Sequence, residues 1–137
     1  MSLVSNLKES EDSGFKTKGF PYKDHLGYDT VGYGTLLPLS EEECTLLLEH
    51  RLNNYIAEFD KKFPNLLGID EIALDIVYEM SYQLGIPRFS KFKKMIKALE
   101  DRDYKSASEE GKDSLWYKQT RNRAERLMSS MRAIRQD

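Results

Sequence analysis

Two carboxylates and a hydroxyl stand out by type and spacing: Glu11, Asp24 and Thr30. Cutting a glycosidic bond needs two acids on one surface, one to protonate the leaving oxygen and one to handle the nucleophile. Asp24 follows the turn that begins at Tyr22, and Thr30 lies six residues further on with a hydroxyl that can hold a water. Gly32 and Gly34 strip side chains from the end of that strand, so a flat sugar ring can approach closely. Glu11 shares a helix face with Leu7, which predicts a partly desolvated carboxyl that keeps its proton to higher pH, as a general acid must. Each residue also has a plainer reading: a surface glutamate, an aspartate bonded to its own turn, a simple β-former. Together they point to an enzyme that cuts polysaccharide.

These side chains need elements to carry them. Val4, Leu7, Lys8 and Glu11 recur at helical spacing, predicting a short helix over about 2–12, which Gly14, Gly19 and Pro21 break. Aromatic and β-branched residues interrupted by Gly27, Gly32 and Gly34 predict a small antiparallel β region over about 20–36. From Ser40 the pattern is helical. Ser40 and Glu43 form a capping box, and Leu48, Leu52, Tyr55, Ile56, Phe59 and Phe63 draw an apolar stripe closed by Pro64 and Gly68. A second body helix over about 70–84 should turn Ile72, Ile76, Val77, Met80 and Leu84 inward, with Gly85 at its end. Pro87 and Ser90 open a third, with Phe92, Met95, Ile96 and Leu99 apolar. A fourth runs from Tyr104 to Glu110 with Gly111 as its stop, and Thr120 caps a last one bearing Ala124, Leu127, Met128, Met131 and Ile134. The expected fold class is α+β, one domain over 1–137: a β lobe at about 14–38, and a helical body at about 40–137 on which the N-terminal helix packs.

Composition narrows the class. With 39% hydrophobic and 32% charged residues, disorder is excluded and one core is within reach. The lone Cys44 rules out an intrachain disulfide. His25 and His50 lack metal spacing, so no metal and no cofactor are expected, and Glu41, Glu42 and Glu43 around Cys44 oppose a reactive thiolate. No apolar run is long enough for a membrane span and no signal peptide is visible, so folding in a cytoplasm is the expectation. The net charge of −2 hides a basic stretch, in which Lys118, Arg121, Arg123, Arg126, Arg132 and Arg135 face only Glu125. That stretch suits an anionic polymer, but no nucleic-acid motif accompanies it, and nucleic acid is not expected as a partner.

The segment Glu11, Tyr22-Lys23-Asp24, Gly27-Tyr28, Thr30-Val31-Gly32-Tyr33-Gly34 resembles the active-site segment of phage-type lysozymes, glycoside hydrolase family 24. Trp116-Tyr117-Lys118-Gln119-Thr120-Arg121-Asn122-Arg123-Ala124-Glu125-Arg126 is similar to the family's second signature, and Tyr82-Gln83-Leu84-Gly85 to the end of its central helix. The resemblance implies a muramidase that hydrolyses the β-1,4 bond between N-acetylmuramic acid and N-acetylglucosamine in peptidoglycan, with inversion. By it Glu11 is the general acid, Asp24 the second carboxylate and Thr30 the water-positioning threonine. Arg123 is the arginine that pairs with the catalytic glutamate, and Gly32, Gly34, Gln83, Phe89 and Gln119 are cleft or sugar-contacting positions. It further implies a monomer without stable membrane association, made in a host bacterial cytoplasm and reaching the wall by holin-assisted export.

The chain departs from the family at Asp12, where a glycine is usual, and at Thr35, where many members have histidine. The thirteen positions from Glu11 to Asp24 exceed the usual spacing, so the Gly14–Pro21 insert must bulge outward. Two other readings stay open: a lytic transglycosylase, which needs the acid but not the second carboxylate, and a lysozyme-like domain that binds glycan without cutting it.

Overall fold

A computed structural model of the chain describes residues 2–135. It is α+β, with a three-stranded antiparallel sheet near the start and helices through the rest. The chain divides into two compact units, residues 1–48 and 49–137.

In the first unit, helix α1 spans Leu3–Glu11. The Ser2 side chain accepts from the Ser5 amide at 3.1 Å, filling one of the orphan donors at the helix start. Strands β1 (Tyr22–Lys23), β2 (Asp29–Val31) and β3 (Thr35–Leu36) pair in that order. Tyr22 stands opposite Thr30, and Thr30 opposite Leu36. Short strands like these give little sheet energy of their own, so side chains must fix the turns. Between α1 and β1 the 13–20 segment folds back in three successive turns, closed by Phe15 N–H to Asp12 O (2.8 Å), Lys18 N–H to Phe15 O (3.1 Å) and Phe20 N–H to Thr17 O (3.0 Å). Gly14, Phe15, Lys18 and Gly19 all have positive φ there.

Helix α2 (Glu41–Lys62) opens on the expected capping box: Glu43 N–H donates to Ser40 Oγ at 3.1 Å, and Ser40 N–H to Glu43 Oε1 at 3.0 Å. Its first turns belong to the first unit, and Leu46, Leu47 and Leu48 there are exposed. The predicted stripe is buried only toward the other end, at Phe59.

The second unit holds the core. Its helices are α3 (Glu71–Leu84), α4 (Ile86–Phe89), α5 (Lys93–Glu100), α6 (Tyr104–Lys112), α7 (Leu115–Gln119) and α8 (Arg121–Arg132). Asp70 caps α3 by accepting from the Ile72 and Ala73 amides at 2.8 and 3.3 Å. Ala73, Ile76, Val77 and Met80 are buried as the helical period requires, whereas Ile72 is 58% exposed. Ile72 lies in the first turn beside the cap, and Ala73 takes the inward position instead. Phe59 packs against Phe63, Tyr78 and Phe89, with ring centroids 4.8–5.6 Å apart. Tyr78 donates to Asp60 at 2.6 Å, and burial, aided by that carboxylate, pushes its hydroxyl pKa well up. Met80, Met95, Met128 and Met131 are all buried, so unbranched thioethers fill much of the interior.

Gly111 does not stop α6, which runs on to Lys112. The glycine is buried, and a Cβ there would stand 2.3 Å from Met128 Sδ, so its role is close approach of α6 to α8. Thr120 does precede α8, but its hydroxyl donates back to Trp116 O at 2.8 Å and closes α7, an element too short for periodicity to reveal.

Candidate active site

In the first unit Glu11 and Tyr22 meet at the turn between β2 and β3, while Asp24 lies at the other end of β2. Gly32, Tyr33 and Gly34 make that turn, with φ of +64° at Gly32 and +84° at Gly34, a region open to glycine without strain. The Tyr22 hydroxyl braces it from β1, donating to Gly32 O at 2.9 Å and accepting from Gly34 N–H at 3.3 Å. Glu11, at the end of α1, lays its carboxyl on the same turn. A Cβ added to Gly34 would stand 3.0 Å from both Cδ and Oε2 of Glu11. Gly34 is therefore bare where the carboxylate rests, and any side chain would displace it. Glu11 itself is exposed, as is all of α1, so the expected desolvation of its carboxyl does not come from packing within this unit.

Asp24 heads the turn from β1 to β2. Its Oδ1 accepts from both the Leu26 and Tyr28 amides at 2.9 Å, while its own N–H donates to Tyr28 O at 2.9 Å. Those bonds, the Tyr28 amide foremost, hold its carboxyl below the ordinary value of 3.8. Both side-chain bonds fall on one oxygen, leaving Oδ2 open to a further donor. Thr30 is only 1% exposed and donates its hydroxyl proton to Tyr28 O at 2.9 Å, so its open capacity is as an acceptor.

Asp12, one residue past Glu11, is the strongly engaged acid of this unit. It is 5% exposed and accepts from Lys16 N–H at 2.9 Å, from Thr17 N–H at 3.2 Å and from the Thr17 hydroxyl at 2.5 Å. The Thr17 hydroxyl is the main reason its pKa is lowered. Phe15, in the segment that Asp12 ties down, sets its ring 6.0 Å from that of Tyr33, and Lys8 sits 5.2 Å over the Tyr33 ring. Nothing in the sequence pattern marked Asp12 as an anchor, because its partners lie in an irregular loop.

In the second unit, Arg123 Nε and Arg126 NH2 share Glu79 Oε2, each at 2.9 Å. Trp116 Nε1 donates to Gln83 Oε1 at 3.1 Å. Gln119 is exposed and lines a groove of ≈ 420 Å³ with Leu84, Phe92 and Trp116. Phe89 is the residue to reassign: fully buried among Phe59, Phe63 and Phe92, it packs the core and has no surface left for a sugar. Tyr117 bonds Glu125 through its hydroxyl, which holds that carboxyl below its usual range and lifts the Tyr117 pKa in return. Among the described residues no group of acids, histidines or cysteines could hold a metal ion.

The sequence model of the phage lysozymes matches residues 11–133, nearly the whole chain. The chain belongs to the phage lysozyme family. Membership makes it a lysozyme-type enzyme acting on peptidoglycan. Among its relatives are two probable T4-type lysozymes of Dictyostelium discoideum, 26% and 28% identical, each alignment covering 93% of this chain and 94% of the relative. The pre-baseplate central spike protein Gp5 of Enterobacteria phage T4 is 27% identical over 93% of this chain, which spans only 27% of that much longer protein. The match begins at Glu11, the residue laid on Gly34.

Proposed function

We propose that this lysozyme is an endolysin-type muramidase that hydrolyses the β-1,4 bond between N-acetylmuramic acid and N-acetylglucosamine with inversion. The observation that carries the reading is the Glu11 carboxyl resting on bare Gly34, at the turn where the strand bearing Thr30 ends. Glu11 gives its proton to the glycosidic oxygen as the leaving sugar departs. A water attacks the anomeric carbon from the opposite face, its proton passing to Asp24 Oδ2, while the buried Thr30 hydroxyl holds the Tyr28 carbonyl of the turn that carries Asp24. The low pKa of Asp24 keeps it ionised across the neutral range, as the second carboxylate requires. Because Glu11 is exposed, its carboxyl is open to a bound glycan. Gly32 and Gly34 of the first unit admit the sugar ring; in the second unit Gln83, Gln119 and Arg123 keep the glycan-contacting and supporting roles that the resemblance to the family implies.

One observation favours a second reading. Asp24 is fully explained as a turn aspartate by its bonds to Leu26 and Tyr28, which suits a lytic transglycosylase that needs only the acid. Mass spectrometry of digested wall separates the two, since hydrolysis leaves reducing ends and transglycosylation leaves anhydro sugars. Asp24→Asn should cost about 10²-fold or more in a hydrolase and little in a transglycosylase. Binding to wall with no clearing of turbidity by the unaltered protein would instead identify a glycan-binding module. We assign it no nucleic-acid or stable membrane partner; no helix among the described residues is long and apolar enough to cross a membrane. A monomer made in a host bacterial cytoplasm would then reach the wall through a membrane-opening holin.

A further inference from the structure

The 13–20 segment lies between Glu11 and Asp24 in sequence and is tied down at its start and in its middle. At its start Asp12, almost fully buried, gathers the Lys16 amide, the Thr17 amide and the Thr17 hydroxyl. In its middle, Phe15 adopts φ +54°, a conformation a bulky side chain takes only when its surroundings impose it. The ring it projects lies over Gly19, 3.6 Å from where a Cβ would be, and against Tyr33 at a centroid distance of 6.0 Å. Tyr33 is the central residue of the turn whose flanking Gly34 carries the Glu11 carboxyl. Asp12 directly follows Glu11. The segment thus grips both partners of one contact: the end of α1 through Asp12, and the β2–β3 turn through Phe15.

We propose that residues 13–20 form a clasp that fixes where the Glu11 carboxylate sits, with Asp12 and Phe15 as its anchors. This rests on the reading of Glu11 as general acid. Asp12 and Phe15 are positioning residues, since the chemistry reaches them only through Glu11. The Lys8 ammonium over Tyr33 reinforces the same joint from within α1. The alternative for an exposed aromatic pair next to an acid is direct stacking on a sugar, and it has a different kinetic signature.

Steady-state clearing of purified peptidoglycan by Phe15→Ala, Phe15→Tyr, Asp12→Ala and Asp12→Asn tests the clasp. Phe15 is 45% exposed, so its removal should leave the fold intact, as circular dichroism will show. Misplacing a catalytic group by a fraction of an ångström predicts a fall in kcat of about tenfold or more for both alanine variants, with KM within about twofold. Phe15→Tyr should recover most of the rate, and Asp12→Asn part of it. The Gly34 amide resonance, which feels the Glu11 carboxyl, should move in Phe15→Ala without any substrate. An unchanged kcat with an unmoved Gly34 resonance overturns the proposal. So does a raised KM at constant kcat, which would put Phe15 on the glycan instead. If Asp12→Ala fails to fold, Phe15→Ala decides alone. Glu11→Gln separates the two levels: full clearing by Glu11→Gln overturns the functional reading, whereas loss of clearing there with an active Phe15→Ala overturns only the clasp.

Discussion

Asp24 shows how one side chain can serve a turn and still keep chemistry in reserve. Two amides occupy Oδ1, and the second oxygen stays available. The same bonds depress its pKa below 3.8, so its protonation cannot set an acid limb near neutrality. Any loss of clearing between pH 7 and pH 5 should therefore report another group, and Asp24→Asn should leave the midpoint of that limb unmoved in whatever activity remains. Arg123 invites the complementary test. Among the described residues its side chain pairs with Glu79, and Arg126 holds the same oxygen, so Arg123→Ala should cost about 1 kcal/mol of stability or less in chemical denaturation. A large loss of wall clearing at that small cost would mark a functional role. An equally active and stable variant would remove Arg123 from the site.

At the scale of elements, the sequence was most legible where a local rule and the packing agree. The Ser40–Glu43 box and the inward run Ala124, Leu127, Met128 and Met131 of α8, with Ile134 buried just past its end, depend on few, nearby residues, and both are present. The misreadings came where one residue type serves two purposes. Gly111 looks like a helix stop because glycine favours C-termini, but here it is small so that α8 can approach. Phe89 looks like a cleft residue by its place in the chain, yet three neighbouring rings enclose it. The candidate site was legible only as candidates by type and spacing, Glu11, Asp24, Gly32 and Gly34, whose roles stand as proposals. Its supports were not, because Tyr22 acts across twelve residues and Asp12 through an irregular loop. Gly111→Ala gauges the close approach. The gain in helix propensity, up to about 1 kcal/mol, should be exceeded by overpacking against buried Met128, leaving a net loss of about 1–2 kcal/mol in urea unfolding.

For the whole molecule, the titrating groups set a pH window. Asp12, Asp24, Asp103 and Glu125 all have lowered pKa values, chiefly from hydrogen bonds to their charged forms. Their contribution is present above the ordinary values of 3.8 and 4.5 and is lost as pH falls through the lower folded values. Tyr55, Tyr78 and Tyr117 are raised, so their contribution holds below the ordinary 10.0 and is lost as pH rises through the higher folded values. Thermal melting should therefore be nearly flat from about pH 5 to pH 9 and fall on either side. Asp12→Asn should flatten the acid side, and a Tm that climbs steadily below pH 4 would contradict these assignments.

The methionine-filled interior gives the protein a chemical clock. Met80, Met95, Met128 and Met131 keep their sulfurs from solvent in the folded state, and a sulfoxide placed there would introduce a polar, wider group into tight packing. Dilute peroxide should therefore reach these sulfurs only in molecules that have opened. The rate of oxidation, followed by intact mass, then measures how often the second unit opens under native conditions. Once a sulfur is oxidised the packing cannot close as before, so each opening caught by peroxide becomes permanent, and a lysozyme in an oxidising environment would be spent one opening at a time.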